Sequence, residues 1–155
     1  MRGLAGRGIF GAMKIFALQP AHHPELLSLI EDFETHPGFS WNATQLAEEL
    51  KVGHGWGLWQ QDHLAAFVLG RENDQAFEIM LLGTAPLYRR QGAMRALLQA
   101  VIAGSQKAIW LEVHQSNEAA IKLYHDLGFQ PTGARKNYYS DGASALLMSF
   151  LRKDF

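Results

Sequence analysis

The sequence encodes a strand-to-helix transition in the segment Tyr88-Arg89-Arg90-Gln91-Gly92-Ala93-Met94-Arg95-Ala96-Leu97-Leu98. An apolar run over residues 77–83 precedes it and is typical of a β-strand. Apolar residues then recur at the spacing of one helix face: Met94, Leu97, Leu98, Val101 and Ile102. We therefore expect the chain to leave a strand, pass through a short basic loop with a glycine, and enter a helix.

This loop is a candidate binding site for an anion. The first turn of a helix leaves backbone N–H groups without partners, and the helix dipole adds partial positive charge there. Gly92 allows the backbone to approach a ligand, while Arg89, Arg90 and Arg95 supply charge. A phosphate or pyrophosphate is the natural ligand. From the loop alone, a solvated basic patch is an equally good interpretation, because neither familiar glycine-rich nucleotide motif is present.

Composition narrows the classes of function. The chain has 155 residues, which suits one domain, and a formal net charge of −1. A charge this close to zero does not recruit nucleic acid or an anionic membrane, so we expect neither as a partner. The absence of cysteine excludes disulfides, thiolate metal sites and a cysteine nucleophile. The histidines are scattered, so we expect no metal site, and no apolar run is long enough to span a bilayer.

The order of predicted elements favours a single α/β domain on a mixed sheet. Helices are expected after Pro24, after Asn42 as N-cap, after Gly92 and up to Gly128. Strands are predicted over residues 14–18, 55–60, 64–70, 75–83, 108–113, 130–139 and 143–151, with Ser140-Asp141-Gly142 as the last turn. The short connections predict an antiparallel N-terminal meander, and the helix between two strands predicts a parallel pair around the basic loop.

The N-terminal segment is rich in glycine. Residues 1–12 contain two arginines and lack the apolar region of a signal peptide. We expect a disordered or loosely packed extension over residues 1–12 and one domain over residues 13–155.

Several segments resemble the Gcn5-related N-acetyltransferase (GNAT) family. The cofactor motif of that family, Gln/Arg-x-x-Gly-x-Gly/Ala, reads Arg89-Arg90-Gln91-Gly92-Ala93-Met94 here and departs at Met94. The segment WLEVHQSNEAAIKLYHDLGF over residues 110–129, and Arg135-Lys136-Asn137-Tyr138-Tyr139 before Asp141-Gly142, are similar to the RimI-type ribosomal-protein-alanine N-acetyltransferases. The resemblance implies a GNAT-like sheet and acetyl-CoA as cosubstrate. It assigns these residues to the cosubstrate: Leu82, Gly83, Thr84, Arg89, Arg90, Gln91, Gly92, Ala93, Met94 and Asn117.

Transfer of an acetyl group to an amine needs a base for the amine and an acid for the leaving thiolate. Glu112 lies in an apolar strand, where burial would make it a better base, or where it would simply pair with a structural arginine. The resemblance implies that Glu112 is the base, acting through water, and that Tyr124 is the acid. From the residues alone, Tyr124 is as readily a core tyrosine, and Asn117 is as readily a helix cap.

The resemblance also implies an acceptor site formed by Trp41, Arg135, Tyr138 and Tyr139. Each of these could equally be surface packing. His114 shares the strand face of Glu112 and either lines the groove, which we favour, or serves as an alternate base.

The expected function is transfer of acetyl from acetyl-CoA to the N-terminal α-amine of a ribosomal protein, in the cytoplasm, by a monomer or weak homodimer. One alternative is a GNAT enzyme that acetylates a small amine or a lysine side chain. A catalytically silent acyl-CoA-binding module is a further alternative, which the presence of both Glu112 and Tyr124 disfavours.

Overall fold

The computed structural model describes residues 4–8, 11–31 and 41–152. Within these residues the chain forms one eight-stranded sheet and four α-helices. The strands are β1 Leu4–Gly8, β2 Gly11–Ala17, β3 His54–Gln60, β4 His63–Glu72, β5 Ala76–Thr84, β6 Ala108–His114, β7 Gln130–Arg135 and β8 Ala145–Phe150. The helices are α1 His23–Ile30, α2 Ala43–Val52, α3 Ala93–Gly104 and α4 Glu118–Asp126. The order across the sheet is β1-β2-β3-β4-β5-β6-β8-β7.

The mixed sheet predicted from the sequence is confirmed. Strands β2 to β5 form an antiparallel meander, and β5 pairs with β6 in parallel on either side of the loop that opens α3. The β3–β4 connection consists of Gln61 and Asp62, both at positive φ, which matches the twist of a tight hairpin. The order of the last two strands places β8 between β6 and β7.

Apolar residues of the central strand face two separate layers of helices. Ala66 and Val68 of β4 belong to the core beneath α3, whereas Phe67 and Leu69 belong to the core beneath α1 and α2. Because both faces are covered, β4 is buried along most of its length. The sheet therefore separates the two helical layers.

Local signals set the ends of the helices as predicted. Asn42 accepts a hydrogen bond from the Gln45 N–H at 2.9 Å, and the Gln45 side chain returns one to the Asn42 N–H. Pro24 lies in the first turn of α1. Gly128 follows α4 with φ of 101°, a conformation that favours glycine.

One predicted strand end was wrong. The strand predicted over residues 130–139 ends at Arg135, since Asn137 has φ of 51° and cannot continue an extended strand. The predicted loose extension contains β1, which pairs with β2 from Leu4↔Ile15 to Gly8↔Gly11 and so satisfies backbone groups of β2.

Residues 32–40, between α1 and α2, lie outside the described residues. Among the described helices, none has the length and apolar character needed to cross a bilayer.

Candidate active site

The basic loop between β5 and α3 has the backbone of an anion cradle. Gly92 is the N-cap of α3 with φ of 86°, and Arg90 also has positive φ, at 60°. A Cβ added at Gly92 would meet no atom within 4 Å, so the space in front of the helix is open. The loop therefore presents the first N–H groups of α3 to solvent, as expected for a phosphate site.

A gap opens between β5 and β6 beside this loop. The parallel ladder contains only Ala76↔Ala108, Phe77↔Ile109 and Glu78↔Trp110, although β5 continues to Thr84 and β6 to His114. The β4–β5 register also shifts after Leu69, which indicates a bulge that redirects β5. The two strands diverge beyond Trp110, so the backbone groups of β5 and β6 that face this gap do not pair with each other.

The β4–β5 ladder shows which backbone groups face the gap. Ala85 N–H donates to Ala65 O at 2.8 Å, and bonded positions alternate along an antiparallel pair. Gly83 therefore bonds to β4, while Leu82 and Thr84 direct their N–H and C=O groups towards β6. The Arg89 Nε–H donates to Thr84 O at 3.2 Å, whereas the Leu82 N–H is placed to meet a ligand in the gap.

Some side chains of the loop lie on the side of the expected ligand, and others pack into the core. Gln91 Nε2–H donates to Leu87 O at 2.9 Å, which closes the loop on itself. Ala93 and Met94 are buried, 3% and 8% exposed, and both belong to the core beneath α3. Met94 thus packs inward, although the family motif has a small residue at this position.

Glu112 lies on the opposite face of β6 from the core. Its neighbours Leu111 and Val113 are buried beneath α3 and α4, whereas the Glu112 side chain is 31% exposed. The expectation that Glu112 is buried was therefore wrong, because strand alternation turns it away from the apolar layer. The Arg135 Nε–H donates to its Oε1 at 2.9 Å.

Two tyrosines that follow β7 lie against this carboxylate. The negative charge of Glu112 and a hydrogen bond to it raise the pKa of the Tyr138 phenol. Burial raises the pKa of Tyr139 to about 12, and the charge of Glu112 contributes to the same shift. Arg135 also lies over the Tyr138 ring, 5.6 Å from its centroid. The structure thus brings together Glu112, Arg135, Tyr138 and Tyr139.

His114 is fixed by contacts on three sides. Its ring stacks on Tyr139 with centroids 4.9 Å apart, its Nε2 lies 2.8 Å from Asp141 Oδ2, and its Nδ1 accepts from the Ser116 N–H at 3.1 Å. The Ala143 N–H and the contact with His114 lower the pKa of Asp141. Sequence reasoning missed Asp141 as a site residue, since Asp-Gly was read only as a turn signal.

Tyr124 lies on the other side of the sheet. Its side chain is 4% exposed and packs against Phe129 with ring centroids 5.8 Å apart. Burial raises its pKa above the ordinary value for tyrosine, with an added contribution from Tyr139. The phenol of Tyr124 therefore stays protonated at neutral pH. Tyr124 also interacts electrostatically with Tyr139, which lies against Glu112.

The remaining predicted residues lie at the edges of the site. The Asn117 side chain accepts from the Ala120 N–H at 3.2 Å, so it caps α4. Trp41 is half-buried just before α2 and next to residues 32–40, which lie outside the described part of the chain. Its contact with an acceptor stays a prediction. In the described residues there is no group of three or more His, Asp or Glu side chains that could hold a metal ion.

Comparisons with known proteins identify the family of the chain. The model of the acetyltransferase (GNAT) family matches residues 18–129. A [ribosomal protein bS18]-alanine N-acetyltransferase of Escherichia coli is 38% identical over 99 residues, which are 59% of this chain and 67% of the relative. The N-alpha-acetyltransferase RimI of Mycobacterium tuberculosis is 37% identical over 82 residues, 52% of each chain.

Solved structures extend the similarity to most of the chain. The crystal structure of the ribosomal-protein-S18-alanine N-acetyltransferase from Escherichia coli superposes with a TM-score of 0.82 at 29% identity, covering 92% of this chain and 96% of that one. Arabidopsis thaliana NAA60 in complex with acetyl-CoA shares the fold at 16% identity, with a TM-score of 0.77 over 90% of this chain and 98% of its own. The chain is an N-acetyltransferase and belongs to the GNAT family.

Proposed function

We propose that this enzyme transfers acetyl from acetyl-CoA to the N-terminal α-amine of a ribosomal protein. The observation that carries the proposal is the position of Glu112. It lies on β6 beside the gap that leads from the cofactor loop, with an aromatic and cationic surface of Arg135, Tyr138 and Tyr139 around it. Similarity to alanine N-acetyltransferases supports a peptide amine as the acceptor.

The residues of the loop and the gap fit acetyl-CoA. The first N–H groups of α3 would bind the pyrophosphate, since Gly92 leaves open space before them and Arg90 is exposed nearby. The free edge of β5 suits the amide-rich arm of the cosubstrate. The Leu82 N–H would donate to the acetyl oxygen and stabilise the charge that develops there.

Glu112 would accept the proton of the attacking amine through water. Its side chain is partly exposed, so a water can reach the carboxylate although Arg135 and Tyr138 also contact it. A free α-amine has an ordinary pKa near 8, so a weak base is sufficient. As the C–N bond forms and the C–S bond breaks, the proton leaves the amine for Glu112.

Tyr124 would supply hydrogen bonding or a proton to the leaving sulfur. Its raised pKa keeps the phenol protonated, which a donor requires. The same shift increases the difference between the pKa of the Tyr124 phenol and that of a thiol, which is about 8.5. Tyr124 therefore acts mainly by donating a hydrogen bond to the sulfur as negative charge builds up.

Two alternative functions are compatible with the same fold. The acceptor would be a small amine or a lysine side chain if the surface around Glu112 binds no peptide. A silent acyl-CoA-binding module would bind acetyl-CoA without turnover. We place the enzyme in the cytoplasm, as a monomer or weak homodimer, where ribosomal proteins are accessible as substrates.

The proposal is tested by measuring thiol release from acetyl-CoA with two peptides. One copies the N-terminus of a small-subunit ribosomal protein from the same organism, and the other has a blocked α-amine and one free lysine. Release with the first peptide alone supports α-amine acetylation. Release with the second peptide alone assigns lysine acetylation, and release with neither, despite acetyl-CoA binding, contradicts the proposed acceptor.

A further inference from the structure

The protonation of His114 follows from its hydrogen bonds. The Ser116 backbone N–H can only donate, and it points to Nδ1 at 3.1 Å, so Nδ1 carries a lone pair. The Ser116 hydroxyl also lies 2.8 Å from this nitrogen. His114 is therefore the neutral ring with its proton on Nε2, and Nε2–H donates to Asp141 Oδ2 at 2.8 Å.

Neither nitrogen of His114 is available as a base. Nδ1 is occupied by Ser116, and Nε2 already holds a proton that is directed to Asp141. The side chain is also only 10% exposed, while Asp141 is 40% exposed. These contacts argue for a role in holding neighbouring groups rather than in moving a proton.

Asp141 links the ring to the β7–β8 turn, defined here as residues 136–144. Its Oδ1 accepts from the Ala143 N–H at 2.9 Å, while Oδ2 accepts from His114. The turn is also joined to the end of β6 by the Gln115 N–H, which donates to Ser144 O at 3.0 Å. One carboxylate thus joins the backbone of the turn to the strand that carries Glu112.

The same turn carries the tyrosines that face Glu112. Tyr139 stacks on the His114 ring with an interplanar angle of 24°, and Tyr138 packs edge-on against Tyr139 with centroids 5.1 Å apart. Tyr138 in turn hydrogen-bonds to Glu112. A continuous series of contacts therefore runs from Asp141 through His114 and the two tyrosines to Glu112.

We propose that His114 and Asp141 are positioning residues that hold Tyr138 and Tyr139 as the wall of the acceptor site. The inference rests on the proposed function, because it takes the surface around Glu112 as the place where the acceptor amine binds. The pair sets affinity for the acceptor, and it leaves acetyl-CoA binding at the Gly92 loop unaffected.

Two variants separate the contacts of the pair. Asp141→Asn retains an acceptor for the Ala143 N–H but cannot also accept from Nε2–H, so it keeps the turn and breaks the His114 contact. His114→Phe keeps an aromatic ring against Tyr139 and removes both hydrogen bonds. Asp62→Asn is the matched control, because Asp62 also lies in a tight turn between two strands, in the β3–β4 hairpin.

Steady-state kinetics with the acceptor peptide give the first readout. Both site variants should raise KM for the peptide about tenfold, as loss of a hydrogen bond to a charged group predicts, with kcat and KM for acetyl-CoA within about twofold. The control should match the wild type. A fall in kcat at unchanged peptide KM, or no change in either parameter, overturns the positioning role.

NMR of ¹⁵N-histidine-labelled enzyme gives a readout that needs no acceptor. We expect the His114 ring to have a protonated Nε2 and an unprotonated Nδ1 near neutral pH. Its signal is assigned by its loss in His114→Phe, and the Nε2–H signal should shift in Asp141→Asn. A cationic ring or a proton on Nδ1 overturns the inference. If the ring has the expected form but no peptide is acetylated, the proposed function fails while the His114–Asp141 geometry stands.

Discussion

Arg135 and Glu112 form an ion pair, with 2.9 Å between Nε and Oε1, at the point where β7 leaves the sheet. Both partners are partly exposed, the arginine side chain by 57% and the glutamate by 31%. Exposed pairs contribute little to stability, so this contact is better explained by the chemistry at Glu112 than by a need to hold the fold.

A double-mutant cycle of Arg135→Gln and Glu112→Gln should therefore give a small coupling free energy of unfolding, below about 1 kcal/mol. The comparison pair is Arg71 and Glu49, which joins β4 to α2 and in which Glu49 is 8% exposed. That cycle should show the larger coupling, because burial makes an unpaired carboxylate costly. Denaturant unfolding measures both, and a stronger coupling for Arg135–Glu112 would mean that the pair is structural.

Gly92→Ala should weaken acetyl-CoA binding beyond its effect on stability. Gly92 has φ of 86°, and an alanine there costs about 1 kcal/mol of backbone strain without a clash. Gly142→Ala is the matched control, since Gly142 has φ of 84° and equally open space. Both variants should lose similar stability in thermal unfolding, whereas calorimetry should show reduced acetyl-CoA affinity for Gly92→Ala alone. Equal affinities would contradict the loop assignment.

Met94→Ala should destabilise the enzyme and leave its cosubstrate affinity unchanged. Met94 is 8% exposed within the core beneath α3, so truncation leaves a cavity that costs about 2–4 kcal/mol. Denaturant unfolding and acetyl-CoA titration measure the two effects separately. Tighter binding by the variant would show that the methionine, where the family motif has a small residue, contacts the ligand.

Tyr124→Phe should slow turnover about 10- to 100-fold while acetyl-CoA still binds, because the ring is kept and only the donor is lost. The folded-state pKa of Tyr124 is raised, so the neutral phenol favours folding below pH 10 and that contribution is lost as pH rises above it. Wild-type stability should thus fall above about pH 10, and less steeply in Tyr124→Phe. Tyrosinate absorbance measures ionisation of the phenol, and unfolding curves across this pH range measure stability. An identical pH profile of stability in the wild type and in Tyr124→Phe would contradict the raised pKa of Tyr124.

Local sequence rules predicted the parts of the structure that depend on neighbouring residues. Asn42 and Asn117 cap helices, and α3 begins directly after Gly92, because these features are set within a few residues. The resemblance to a family supplied Glu112, Tyr138 and Tyr139 as one site, and the structure brings them together.

Contacts between distant segments were beyond sequence reasoning. Asp141 lies 27 residues from His114 in the chain, and only the pairing of β8 between β6 and β7 places them 2.8 Å apart. The exposure of Glu112 was also missed, since an apolar run does not reveal which strand face is covered by helices.

The proposed mechanism depends on Glu112 as the base for acetyl transfer to an α-amine. Turnover and acetyl-CoA affinity are compared in Glu112→Gln and in the control Glu78→Gln. In the wild type, the Glu78 carboxylate accepts from Asn73 at 3.3 Å. We expect kcat of Glu112→Gln to fall about 10²- to 10⁴-fold with acetyl-CoA affinity unchanged, while the control keeps both. Wild-type turnover in Glu112→Gln would contradict the role of Glu112 as the base.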